Sequence, residues 1–260
     1  MISYCIASYR PLYSAMLIED LIRKTTVPFE ILVWLNCDEP EFELSLRETA
    51  SRAPLHVIGR TPENIGMRAY SALFQRAQYD LIVQIDDDVV AVSRHIAEQA
   101  DEIFRTLPLV RQLVADVWQD DYTTGARPPM SAYRQFNHQY GLFDGPIDGW
   151  FSVFHRSALP NIIDLQGEYF PLGGTTKHRL QSRGLKGLLC TRFKVFHVIG
   201  PEYASHFHML EFEIQKYRRL GRREIVQWYE EAKHRLPPKE ELQMRVEAVL
   251  KHLDSNFVNA

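Results

Sequence analysis

The alternation of pattern across residues 1–90 constrains this chain most. Short apolar runs rich in β-branched residues lie at Ile2 to Ala7, Phe29 to Leu35, Leu55 to Ile58 and Leu81 to Ile85. Between them the apolar residues recur at helical spacing, first through Leu12, Ala15, Met16, Ile18 and Ile22. A charged helix then runs to about Ala50, and a third helix spans Met67 to Ala77. The order β-α-β-α-β-α-β predicts an α/β fold, with a mainly parallel sheet and helices on both faces. Ligands of such sheets sit at the carboxyl ends of the strands. The stretches Ser8–Pro11, Asn36–Glu39, Arg60–Gly66 and Asp86–Asp88 all follow strand ends and are expected to line one crevice.

The fourth of these stretches carries the sharpest chemistry. An apolar strand stops abruptly at Asp86, Asp87 and Asp88. Three carboxylates at one strand end repel one another, so the folded state needs a compensating charge. A divalent cation with oxygen ligands is the simplest candidate; a solvated acidic turn is the alternative.

Beyond the triplet, a helix is expected over about Ser93 to Thr106 and a strand over Leu113 to Trp118. A long polar and aromatic stretch, Gln119 to Asp148, follows, and a connection of that length is usually functional or mobile. Trp150 to Arg156 returns to strand pattern, Thr175 to Arg183 reads as a short helix, and Leu188 to Val198 as a final strand carrying His197. Past Gly200 the chain is helical and more charged, with a basic cluster from Lys216 to Arg223. The last helix places Leu242, Val246, Val249, Leu250 and Leu253 at helical spacing, as a docking face.

Hydrophobic content of 45% with 24% charged residues is ordinary for a globular protein, and a net charge of −3 gives no general mandate to bind nucleic acid. Cys5, Cys37 and Cys190 form no Cys-x-x-Cys pair, which argues against a disulfide scaffold and a zinc site of usual spacing. The amino terminus lacks the basic and apolar regions of a signal peptide. No apolar run reaches the roughly 18 residues of a spanning helix. A cytoplasmic protein is expected.

An ordered set of short motifs carries a family resemblance. It comprises the Ile6-Ala7-Ser8-Tyr9-Arg10 strand and loop, the Asn36/Asp38 loop and Glu63-Asn64-Ile65-Gly66 before a helix. Ile85-Asp86-Asp87-Asp88 follows, then Gly-Trp-x-x-x-Phe-x-Arg from Gly149 to Arg156, and finally Val195-Phe196-His197. Over residues 1–200 the chain resembles a GT-A glycosyltransferase of the family-2-like kind. The resemblance implies a Rossmann-like nucleotide-diphospho-sugar transferase fold with a nucleotide-binding half (1–90), an acceptor half (91–200) and a C-terminal lid and helical extension (201–260).

It further implies transfer of a hexosyl or pentosyl group from a nucleotide-diphosphate donor, with a UDP-sugar as first expectation and Mn²⁺ or Mg²⁺ as cofactor. The leaving group is a nucleoside diphosphate whose developing charge must be neutralised. Asp88 matches the last acid of the family's Asp-x-Asp, Asp86 would act through a metal-bound water or the donor ribose, and Asp87 would take ribose hydroxyls. His197 matches a late histidine that completes the metal shell; the alternative is a structural histidine. Asn36 and Asp38 match the loop that reads base or ribose, and Ala7, Ser8 and Arg10 the loop that meets the nucleotide. Asn64 and Gly66 precede the helix whose Arg68 would reach the diphosphate, or else stay solvated. Trp150 would stack on a sugar or aromatic acceptor, or sit in the core. Tyr203, His206 and His208 would close over the donor as a lid, or form an ordered connection.

One departure stands out. Inverting members carry an acid just before the helix that precedes the last strand, as general base. Here Tyr169 to Arg179 contains no acid. Either Asp148, Glu168 or His178 supplies the base, or the enzyme retains configuration and the departing phosphate oxygen accepts the proton. The expected acceptor is a glycan, a lipid-linked sugar or a hydroxylated nucleic-acid base; Lys216 to Arg223 would hold a polyanionic one, or else form a solvated helix face paired with Glu211, Glu213 and Glu224. Two rival activities remain: a nucleotidyltransferase, disfavoured because Ser8-Tyr9-Arg10-Pro11 is neither Gly-rich nor lysine-bearing, and a non-catalytic nucleotide-sugar-binding module.

Overall fold

A computed structural model describes residues 1–123, 127–163 and 172–255. The amino-terminal alternation is realised as β1 (Ile2–Ser8), α1 (Pro11–Lys24), β2 (Phe29–Leu35), α2 (Pro40–Ala50), β3 (Leu55–Arg60), α3 (Met67–Arg76) and β4 (Leu81–Ile85). Pro11 and Pro40 open α1 and α2, where a missing N–H costs nothing and a fixed φ suits the first turn. After the acids come β5 (Val89–Val92), α4 (Ile96–Thr106), β6 (Val110–Val117), β7 (Arg134–Asn137), β8 (Leu142–Asp144) and β9 (Phe151–His155). The chain ends with α5 (Leu159–Ile162), α6 (Leu172–Gln181), β10 (Lys186–His197), α7 (Pro201–His206), α8 (Leu210–Arg219), α9 (Arg223–Ala232) and α10 (Lys239–Asp254).

The strands form one sheet in the order β3-β2-β1-β4-β9-β6-β10-β8-β7, with β5 pairing β10 off that path. β3, β2, β1 and β4 are parallel; β9 is antiparallel to both β4 and β6, and β10 is parallel to β6. The sheet is therefore mixed and mainly parallel. Alternate residues of β1 point to opposite faces: Ile2, Tyr4 and Ile6 pack with α1, α2 and α4, while Cys5 and Ala7 pack with α3 and α5.

After the acids the chain reverses, and the apolar run there forms a separate strand, β5, paired antiparallel with β10. Two expectations are corrected. The long stretch Gln119 to Asp148 contains an antiparallel pair, β7 and β8, added to the sheet edge through β10. The helix expected at Thr175 to Arg183 is α6, which starts earlier and ends at Gln181. No helix among the described residues is long and apolar enough to cross a membrane.

Candidate active site

The four strand-end loops meet. Asn36, buried at the end of β2, donates its N–H to the Ser8 carbonyl at 2.7 Å. Its Oδ1 accepts from the Thr61 hydroxyl at 3.2 Å and the Ile65 N–H at 3.3 Å. One residue thus ties the ends of β1 and β2, through its backbone, to the loop after β3, through its side chain. The Ser8 hydroxyl faces that of Ser14 at 2.7 Å, and Ala7 and Ser8 are both buried at the end of β1. Asn64 accepts from the Gly66 N–H at 2.8 Å, and Gly66 (φ 57°, ψ −131°) swings the chain into α3 through a conformation that favours glycine. Asp38 and Arg68 are exposed.

The acidic triplet forms the turn between β4 and β5, closed by the Val89 N–H on the Asp86 carbonyl at 3.1 Å. Its three carboxylates have different partners. Asp87 accepts from the backbone N–H of Tyr9 at 2.5 Å and of Arg10 at 2.6 Å, and from Arg10 Nη1 at 2.5 Å. Its oxygens hold the loop after β1. Asp88 faces Arg10 Nη2 at 3.1 Å and His197 Nε2 at 2.7 Å. Asp86 accepts from Gln84 Nε2 at 2.7 Å.

His197 reaches the triplet through strand register. At the end of β10 it lies opposite Val89, and the next N–H, of Val198, donates to the Asp88 carbonyl at 2.7 Å. Trp150 packs beside it with ring centroids 6.5 Å apart. The indole N–H of Trp150 is taken by the Ala115 carbonyl at 2.7 Å and the residue is 4% exposed, so it sits in the core beside His197.

Burial of a cluster this acidic perturbs its titration. Burial first, then Asp88, Asp148 and Asp87, push the Asp86 carboxyl well above the usual range. Burial also raises Asp87, despite Arg10. For Asp88 the burial effect is outweighed by Arg10 and His197, which hold it well below the usual carboxylate range. Asp86, Asp88 and His197 each offer one ligand atom, and these atoms lie within 4.8 Å of one another. Two carboxylates with one imidazole suit a divalent cation. The surplus of acids over cations in the cluster supplies the electrostatic need for such an ion.

Of the expected general bases, Asp148 lies close enough to Asp86 to act on its charge. Its backbone packs so tightly under α6 that a Cβ on Gly173 would come within 2.3 Å of the Asp148 carbonyl carbon. His178 is exposed on α6, and Glu168 lies outside the described residues. Tyr203 is fully buried in α7 and donates to Asp120 at 2.5 Å, while His206 and His208 follow it around the end of that helix. In the basic cluster, Lys216 turns inward onto Glu213 at 2.9 Å and Arg218 pairs with Glu230. Arg219, Arg222 and Arg223 are exposed.

Sequence reasoning passed over Gln84, Glu213 and Lys216 as parts of this site. Gln84 had a signal, an amide inside an otherwise apolar strand two residues before Asp86. Glu213 had a signal only toward the basic cluster, three residues before Lys216; its partner Arg10 is 203 residues away.

No protein-family model matches this sequence, and no curated protein matches it. Solved structures do. TarS from S. aureus (residues 1–349) aligns with a TM-score of 0.56 and 12% identity over 79% of this chain and 62% of that one. The same protein in complex with UDP-GlcNAc aligns at 0.58, again with 12% identity, over 82% of this chain and 64% of that one. The mannosyltransferase PcManGT from Pyrobaculum calidifontis, in complex with GDP-Man and Mn²⁺, aligns at 0.52 with 16% identity over 85% of this chain and 64% of that one. The chain thus spans 62–64% of the length of these neighbours. At 12–16% identity the likeness concerns architecture, and that architecture is the GT-A fold.

Proposed function

We propose that this protein transfers a glycosyl group from a nucleoside-diphosphate donor to a hydroxyl acceptor, using a divalent cation held by Asp86, Asp88 and His197. One observation carries this: on a GT-A fold, three residues from two distant strand ends bring ligand atoms within 4.8 Å of one another at the crevice. UDP-GlcNAc in TarS and GDP-Man with Mn²⁺ in PcManGT occupy proteins of the same fold, which supports a donor of that class here. A UDP-sugar and Mn²⁺ are the first pair to test. When bound, the cation would act as a Lewis acid on the diphosphate and neutralise charge on the leaving group.

The chain's own residues divide the remaining work. Asn36 shapes the floor under the base and ribose, with Asp38 at its rim. The Ala7–Ser8 backbone would approach the nucleotide, and Asn64 and Gly66 set the entry to α3, from which Arg68 would reach the diphosphate. Asp87 acts by fixing the Tyr9–Arg10 loop through its two backbone hydrogen bonds. Asp148 would take the acceptor proton, since it is the described acid beside the triplet and beneath α6.

The test is release of nucleotide from UDP-, GDP-, CMP- and dTDP-sugars with and without Mn²⁺. Metal-dependent release is expected from at least one donor, with Asp88→Ala reducing it about 100-fold or more, beyond the loss typical of an outer-shell change. Release indifferent to EDTA and to that substitution would overturn the metal assignment. Nucleotide-sugar binding with no turnover for any donor would instead identify a binding module.

A further inference from the structure

Arg10 is a buried cation shared by three carboxylates. Its Nη1 lies 2.5 Å from Asp87, its Nη2 3.1 Å from Asp88 and its Nε 2.5 Å from Glu213. Asp87 and Asp88 belong to the turn after β4, whereas Glu213 comes from α8. Glu213 in turn accepts from Lys216 at 2.9 Å, one turn further along the same helix. From the candidate metal ligand outward, Asp88, Arg10, Glu213 and Lys216 form a chain of alternating charge. Arg10 and Glu213 are both buried, so each is under pressure to stay paired.

We propose that Glu213 is a positioning residue that acts through Arg10 to set the affinity of the Asp86, Asp88 and His197 group for its divalent cation. The inference rests on the metal site proposed above. Arg10 and a bound cation draw on the same carboxylate, Asp88. A guanidinium is planar and keeps its charge, so its influence depends on where its fork is held and on what else neutralises it. Glu213 grips the Nε edge, drawing part of that charge away from Asp88, and adds a negative charge of its own. Lys216 has the opposite effect, because it neutralises Glu213 and adds a positive charge to the cluster. The two residues therefore tune the site in opposite senses, although they pair with each other.

Glu213→Gln keeps an oxygen to accept the Arg10 Nε–H and removes the charge. It is expected to weaken Mn²⁺ binding about 10-fold, the lower end for changes beyond the ligand shell. Lys216→Met removes the cation at the far end of the chain and is expected to tighten Mn²⁺ roughly 3-fold. Glu213→Asp restores the charge and should recover most of the affinity. The measurement is free Mn²⁺ by electron paramagnetic resonance, titrated into the intact protein without donor, with thermal melts of each variant alongside. Opposite shifts for Glu213→Gln and Lys216→Met are the expected result, since a merely structural role would weaken both along with the melts. Shifts of the same sign, or unchanged Kd values, would overturn the inference while leaving the metal site standing. Should Glu213→Gln not fold, an unchanged Kd in Lys216→Met alone overturns it. A wild-type protein that takes up no Mn²⁺ would remove the metal site itself, and this inference with it.

Discussion

Asp86, Asp87 and Asp88 are adjacent in sequence and occupy three different environments. Asp87 anchors a loop, Asp88 sits between Arg10 and His197, and Asp86 has a single amide donor, Gln84. The raised pKa of Asp86 gives the first pH prediction. A carboxyl whose pKa is raised holds its proton to higher pH, and a cation must displace that proton to bind. Mn²⁺ affinity should therefore fall as pH drops from neutrality toward the ordinary carboxylate range. Calorimetry in buffers of different ionisation enthalpy should show net proton release on binding; pH-independent affinity without proton release would contradict it. The triplet was legible in the sequence because three acids end an apolar run. Their division of labour was not, since it is set by Arg10, Glu213 and His197, which approach only in the folded chain.

Among the elements, β10 does most to assemble the site. Its pairing with β6 continues the sheet, and its antiparallel pairing with β5 sets His197 opposite Val89 and hence against Asp88. The first four strands were legible from period alone, because each is an apolar run bounded by polar loops. β7 and β8 were not, because they are short and partly exposed, without the alternation of a half-buried strand. The start of α6 presses on Asp148, and this contact can be tested. Gly173→Ala would drive a Cβ into the Asp148 backbone, where only a main-chain shift can relieve it. The expected cost is about 1–3 kcal/mol in urea unfolding. Transfer to an acceptor should fall more than hydrolysis of the donor, because Asp148 moves while the triplet does not. Equal loss in both assays would count against an acceptor-side role for Asp148.

At the scale of the molecule, α10 packs directly on the sheet domain, against α1, β5 and β10. Val246, Val249 and Leu253 of α10 join Tyr13 of α1, Val90 and Ala91 of β5 and Phe196 of β10 in one buried cluster. The same end of α10 brings Asp254 to Arg23 and Lys24 of α1 at 2.9 Å. Leu253 is fully buried, and Leu253→Ala should destabilise the protein by about 2–5 kcal/mol in a single urea transition. An independent early transition for α7 to α10 would show instead that the extension folds apart from the sheet. The sequence marked the apolar face of α10 but not its target, because helical spacing identifies the buried side and not what covers it.

The register that sets His197 against Val89 also bears on the order in which the chain is made. Residues 1–90 contain the three acids and Arg10, yet Trp150, His197 and Glu213 all come later. During synthesis the acids emerge long before the imidazole that completes the candidate ligand set. Through that interval the nascent chain carries the three acids without their imidazole, and the full ligand set exists only once β10 has joined the sheet.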